Sequence, residues 1–247
     1  MKKFLILQLR PEDETTKSEL ESFLHIGGLV AHEVKQIRLD KEPNPQIDLH
    51  DCSAILVGGS PFDVSKPEEE KSELQKEIEQ FFEGFLDRVV SEDFPFLGVC
   101  SGNGLLGKYT GTSISTKYAE PLGTIDINVT EAGTKDPLLK DLPRSFSVFV
   151  GHKEACDQTP EGAELLITSE ACPVQMFRIK NNIYSTQFHP EADADEFILR
   201  IGAYKYSGYF PPSQAAELID TIKDMKAPVS HKILRRFVNR YKHHVHK

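Results

Sequence analysis

The chain is 247 residues long, 39% hydrophobic and 27% charged, with a formal net charge of −9. That length suits one sizeable α/β domain or two small ones, and the composition excludes disordered, collagen-like and low-complexity classes. The acidic balance argues against a nucleic-acid surface, which needs clustered positive charge, and no run of roughly 20 apolar residues offers a membrane span. The opening MKKFLILQL reads as a first strand over 4–9 and not as a secretory leader, because an acidic stretch follows at once without a small-residue cleavage site. A cytoplasmic protein is the expectation. TKSELESFLHIGG (16–28) predicts a helix stopped by glycines. VKQIRLD (34–40) predicts a strand near a sheet edge, and AILVGG (54–59) a buried one. PEEEKSELQKEIEQFFEGFLDRVV (67–90) predicts the strongest helix, opening on Pro and three Glu and repeating Leu74, Ile78, Phe81, Phe82, Phe85 and Leu86 at helical spacing. FPFLGV (94–99) and IYSTQF (183–188) are further buried strands.

Between residues 110 and 183 the pattern shifts to shorter, turn-linked strands: EPLGTIDINV, SFSVFVGH, AELLITS and VQMFRIKNN, with KNNIY as a hairpin turn. The last 55 residues return to helix. The expected fold is α/β, a mostly parallel central sheet with helices on both faces, plus antiparallel ribbons and C-terminal helices. One domain spans 1–247, with a helical extension from about 208. The closing HKILRRFVNRYKHHVHK is basic against an acidic body. Its Ile233, Leu234, Phe237, Val238 and Tyr241 form a stripe that either docks on the chain itself or meets a partner or second copy. His243, His244 and His246 read as a solvated tail.

Four cysteines are present: Cys52, Cys100, Cys156 and Cys172. No C-x-x-C occurs, so no metal site is expected, and the chain is too long and Cys-poor for a disulfide scaffold. Cys52, Cys156 and Cys172 read as buried thiols. PFLGVCSGNGLLG (95–107) carries two overlapping signatures. Gly102, Gly104 and Gly107 spell G-x-G-x-x-G, a dinucleotide fingerprint. Gly98, Cys100 and Gly102 spell G-x-C-x-G, a cysteine nucleophile elbow. The dinucleotide reading needs a sustained helix after the loop and an acidic residue at the end of the next strand. The sequence GKYTGTSISTKYAEPLG lacks an apolar helical stripe, and Glu120 has no strand before it. No cofactor is therefore expected. The elbow reading needs a buried strand, small flanking residues and a sharp turn into a helix whose N-terminus favours a thiolate. It also needs a base. Among nine histidines His189 stands out, because it ends the strand IYSTQF and begins H-P-E. His189 and Glu191, two residues apart in extended chain, point the same way. The carboxylate is placed to orient the imidazole, and the imidazole to take a thiol proton.

FLGVCSGNGLLG with YSTQFHPE resembles the class I (triad) glutamine amidotransferases, within them the stand-alone GMP-synthase-like domains. AILVGGSPFDV resembles their oxyanion loop and VFVGHKEA their substrate-proximal His segment. The resemblance runs from about residue 50 to 195. It implies a flavodoxin-like fold, Cys100 as nucleophile, His189 as general base and Glu191 as its orienter. It further implies Gly59 and Ser101 as backbone oxyanion donors, and Gly104, His152 and Lys153 beside the substrate. The implied substrate is glutamine or another γ-glutamyl small molecule, and the chain has no room for a synthetase domain, so released ammonia needs a separate partner protein. One departure stands out: the family's elbow continues C-x-G-x-Q, and here the Gln position is Gly104. That keeps two alternatives open, a γ-glutamyl peptide or amide hydrolase or transpeptidase using the same triad, and a non-catalytic relative acting as a binding module.

Overall fold

The computed structural model describes residues 2–242; His243, His244 and His246 lie outside the described residues. Strand β1 (Lys3–Gln8) leads into helix α1 (Asp13–Gly27), which ends at Gly28 in a left-handed conformation (φ 71°) that glycine adopts without a Cβ penalty. Then follow β2 (Val34–Arg38), β3 (Cys52–Val57), α2 (Glu73–Ser91), β4 (Phe96–Val99) and α3 (Ser101–Tyr109). Next come β5 (Ile114–Ser115), β6 (Glu120–Val129), β7 (Ser145–His152), β8 (Ala155–Cys156), β9 (Ala163–Thr168), β10 (Met176–Ile179) and β11 (Ile183–Thr186). The chain closes through α4 (Ala194–Ala203), α5 (Ala215–Ile222) and α6 (Pro228–Tyr241). The predicted helix over 67–90 starts later, at Glu73, because the Ser72 side chain accepts the Gln75 N–H and caps it there. The three glutamates before it form only a short 3₁₀ turn.

Among the described residues one sheet runs β2-β1-β3-β4-β11-β10-β9-β6-β7. Strands β2, β1, β3, β4 and β11 are mutually parallel, and from β11 onward the pairings are antiparallel. This is the mostly parallel sheet with attached antiparallel ribbons that the sequence pattern implies. Alternation along the parallel strands sorts the core. Phe4, Ile6, Ala54, Leu56, Leu97 and Val99 face α1 and α6, while Leu5, Leu7, Ile55, Val57 and Phe96 face α2. The apolar stripe of α6 docks on the chain itself: Ile233, Leu234, Phe237, Val238 and Tyr241 are all buried, beside Phe23 and Ile26 of α1.

A helix does follow the elbow, although its sequence lacks an apolar stripe. The glycines of α3 serve close packing and do not form an open phosphate loop. A Cβ on Gly102 would lie 3.3 Å from Val57, and one on Gly107 only 2.6 Å from Cys156 Sγ. The short antiparallel pair β5–β8 then packs against this helix. None of the helices among the described residues is long and apolar enough to cross a membrane.

Candidate active site

Three neighbouring parallel strands deliver the site at their carboxyl ends: β3 runs into Gly58-Gly59-Ser60, β4 into Cys100, and β11 toward His189. Cys100 has φ 53° and ψ −96°, a backbone conformation that costs a non-glycine residue about 1–3 kcal/mol. The turn survives because its surroundings over-determine it. The Cys100 N–H donates to Thr186 O at 2.8 Å on β11, and its carbonyl accepts Asn103 N–H at 2.9 Å. Gly98 permits the sharp approach, since a Cβ there would sit 2.7 Å from Gly102 O.

His189 is buried on an Nδ1 contact of 2.7 Å with Glu191 Oε1, and its ring stands edge-on to Phe197 at 5.4 Å. Arg200 reaches the same carboxylate oxygen at 3.2 Å and donates to Glu196 at 2.8 Å. Its Nη1 also lies 3.0 Å from His189 Nδ1. A guanidinium only donates, so the shorter, charge-assisted contact to Glu191 assigns the Nδ1 proton there and leaves Nε2 as a free base. Burial pushes Glu191 upward, but His189 and Arg200 outweigh it and hold the carboxyl down at about 2. Burial lowers His189 to about 4; Arg200 and Arg10 add to that, against Glu191.

The thiolate expected from the helix N-terminus is not the resting state. Burial pushes Cys100 up to about 11, despite the opposing pull of Arg10 and Arg200. The helix dipole is worth less than about 1 kcal/mol at an ordinary helix end, too little to offset that desolvation. Thiol and imidazole are both neutral at rest, and the proton moves when a substrate is attacked.

The remaining expected residues divide. Ser101 opens α3, where first-turn N–H groups have no intrahelical acceptor, and its Oγ accepts the Ser60 N–H at 2.8 Å. Gly59 is turned away from the oxyanion role: its N–H donates to Glu19 Oε1 at 3.1 Å. Glu19 is a fully buried carboxylate that also takes Arg10 Nε at 2.9 Å and Gln8 Nε2 at 3.0 Å. Gly104, His152 and Lys153 do converge, with Cys100 and Ser101, on one small cavity. His152 is nonetheless held by Glu120 at 2.8 Å, and Lys153 by Asp63 at 2.7 Å. The space beside Gly104 is bounded by Val64 and Glu154, 3.4 and 3.6 Å from where a Cβ would stand.

Several site residues escaped the sequence reading. Arg10, Tyr204, Phe197 and Arg200 line a second cavity with Cys100 and His189. Arg10 carried a readable signal, as a charged residue directly after a buried parallel strand, where α/β sheets place ligands. Arg200 and Tyr209 carried none. Tyr209 lies between the two cavities, its hydroxyl 3.4 Å from Ser60 O and its ring 5.0 Å from Lys153 Nζ. Each cavity measures about 20 Å³, on the order of one water. Tyr209 lines both cavities, so its displacement is the simplest way to join and widen them. Tyr209→Ala is therefore expected to speed alkylation of Cys100 by iodoacetamide several-fold, read by mass spectrometry over time; an unchanged rate would remove Tyr209 as the barrier. A wider cleft, about 650 Å³ beside Glu77, Phe81, Phe85 and Arg88, shares no residue with the Cys100 cavities.

The dyad also sets a pH dependence of stability. Unfolded His189 titrates near 6.5 and folded His189 near 4, so as pH falls the unfolded chain takes the proton first. The contribution is fully present above about 6.5 and is lost toward 4. Urea unfolding at pH 7 and pH 5 is expected to differ by roughly 2 kcal/mol from this group, and His189→Gln should remove most of that difference. Equal slopes in both proteins would contradict the assignment.

Fold and site together define a doubly wound α/β protein that presents a cysteine on a strained turn at the carboxyl edge of its sheet. The family model described as glutamine amidotransferase class-I matches residues 14–201, and the chain belongs to that family. It is 28% identical over 182 residues to a glutamine-hydrolyzing GMP synthase subunit of Sulfurisphaera tokodaii, covering 70% of this chain and 89% of that protein. It is 35% identical over 104 residues to the glutamine-hydrolyzing GMP synthase of Caldicellulosiruptor saccharolyticus, covering 42% of this chain but only 20% of that longer protein. A glutamine amidotransferase crystal structure from Thermotoga maritima superposes with a TM-score of 0.76 at 22% identity, covering 99% of this chain and 100% of that one. That likeness shows the shared fold.

Proposed function

We propose that the chain hydrolyses the γ-carboxamide of glutamine through a thioester on Cys100, and passes the ammonia to a separate synthetase protein. Residues 1–247 act as one domain in this reading. The observation that carries it is the shared cavity of Cys100 and His189, with His189 Nδ1 fixed on Glu191 at 2.7 Å so that Nε2 is left basic. Attack moves the thiol proton to His189 Nε2 as Sγ bonds to the carbonyl carbon. The oxyanion is held by the Ser101 N–H, and by the Gly59 N–H once that peptide turns from Glu19. Such donors are worth roughly 3–4 kcal/mol each. Collapse returns the proton to the departing ammonia. A water deprotonated by His189 then attacks the thioester and releases glutamate. The family match, and a relative that is itself one subunit of a synthase, support an ammonia-supplying role.

Gly104 supports a second reading. Where the family resemblance implies a Gln side chain, Val64 and Glu154 bound the space instead, so a γ-glutamyl peptide or amide larger than glutamine is a competing substrate. Turnover of glutamine and a γ-glutamyl amide panel separates the two. Glutamine hydrolysis absent from Cys100→Ala is the expected result. No turnover of any amide, with no labelling of Cys100 by a glutamine-analogue chloroketone, would overturn both and leave a non-catalytic relative.

A further inference from the structure

One lining residue of the Cys100 cavity, His152, belongs to a cluster whose other members the proposed reaction does not use. Glu120 opens β6 and His152 closes β7, paired across the ladder, and Cys172 lies in the turn between β9 and β10. All three are buried, and their ligand atoms lie within 4.8 Å of one another. His152 Nδ1 is 3.0 Å from the carbonyl of Glu154. A carbonyl only accepts, so Nδ1 carries the ring proton and Nε2 presents a lone pair. That lone pair faces another acceptor, Glu120 Oε2, at 2.8 Å. Two buried acceptors at this distance need either a second proton between them or a metal ion bound beside both.

We propose that Glu120, His152 and Cys172 form a buried Zn²⁺ site. The donor set of imidazole nitrogen, carboxylate oxygen and thiolate sulfur is the borderline-soft one zinc takes. The outer contacts fit as well. A metal-bound histidine donates its other N–H to a carbonyl or carboxylate, as His152 does to Glu154. A ligating carboxylate is itself held by hydrogen bonds, and Gln175 Nε2 donates to Glu120 Oε2 at 2.7 Å. Burial keeps the Cys172 thiol protonated, raising it to about 12; zinc displaces that proton to solvent and takes the thiolate. Spacing hid the site, because its ligands come from three separate segments and no C-x-x-C marks them. Its occupant would pin the turn that carries His152, Lys153 and Glu154, three lining residues of the Cys100 cavity.

The full chain, stripped with a chelator, is titrated with Zn²⁺ against a chromophoric competitor and, separately, with Co²⁺. The expected result is about one Zn²⁺ per chain, a raised melting temperature, and a thiolate-to-Co²⁺ charge-transfer band in the near ultraviolet. Cys172→Ser should abolish the band and Cys52→Ser should keep it. Glu120→Gln, monitored for folding by circular dichroism, should weaken Zn²⁺ binding at least 10-fold. Failure of the unmodified chain to take up Zn²⁺ stoichiometrically would overturn the proposal, leaving a shared proton between His152 and Glu120. So would a Co²⁺ band that survives Cys172→Ser.

Discussion

Cys100→Ala is expected to lower glutamine hydrolysis by at least about 10⁴-fold while leaving the chain folded. The size of the loss follows from the division of labour at the site. In the proposed reading His189 Nε2 supplies a base and Ser101 an oxyanion donor, but neither attacks a carboxamide, and no other thiol replaces Cys100. Cys156 and Cys172 are buried and raised to about 12 by desolvation, and Cys52 is on the far side of the elbow, at the start of β3. Steady-state ammonia release measures the effect. Residual activity within 100-fold of the unmodified chain would place the chemistry elsewhere. A companion substitution separates strain from chemistry. At φ 53° and ψ −96° alanine keeps the backbone penalty and glycine relieves it, so Cys100→Gly should be more stable than Cys100→Ala by about 1 kcal/mol. Both should be equally inactive.

The elements that sequence made readable are those whose burial pattern is local. The runs 4–9, 54–59, 94–99 and 183–188 are apolar because both faces of a parallel strand are covered, and each coincides with an observed strand. The turn at Cys100 and the His189–Glu191 spacing are local and readable one by one, whereas the nearness of Cys100 to His189 depends on β4 pairing with β11. What sequence did not reveal depends on contacts between distant segments. Arg10, Glu19 and Arg200 come from the end of β1, from α1 and from α4, and only the folded sheet edge brings their charges together. The resting protonation of Cys100 was misjudged for the same reason. A helix N-terminus can be seen in the sequence, whereas the depth of burial around it cannot. Gly59 shows a related limit: its loop follows β3 at the carboxyl edge of the sheet, but the carboxylate that claims its N–H lies 40 residues earlier.

Glu19→Ala is expected to destabilise the chain by about 3–5 kcal/mol, a fall in melting temperature of roughly 10 °C. The pair it breaks is closed on all sides. Removing the carboxylate leaves the Arg10 guanidinium charged with only the Tyr204 hydroxyl beside it, leaves the Gln8 amide only Thr16 O, and strands the Gly59 N–H, all in buried positions. Burial raises the Glu19 carboxyl even with Arg10 beside it, while the attraction keeps the Arg10 guanidinium charged against the same burial, and buried ion pairs of this kind often add little net stability. The double substitution Arg10→Met with Glu19→Leu should therefore be more stable than Glu19→Ala, since it also removes the stranded guanidinium, while the Gln8 and Gly59 donors still lack Glu19. Thermal melts of the three proteins test this; a double variant no more stable than Glu19→Ala would show that the charges, not the volume, hold this corner. Activity of the double variant reads a second quantity. Leucine cannot accept the Gly59 N–H, so that donor is free for an oxyanion without first leaving Glu19. A kcat that rises or holds while stability recovers would mean Glu19 stores the Gly59 peptide in an off position. A kcat lost with stability intact would mean Arg10 itself acts on the substrate, which its place beside Cys100 and His189 allows.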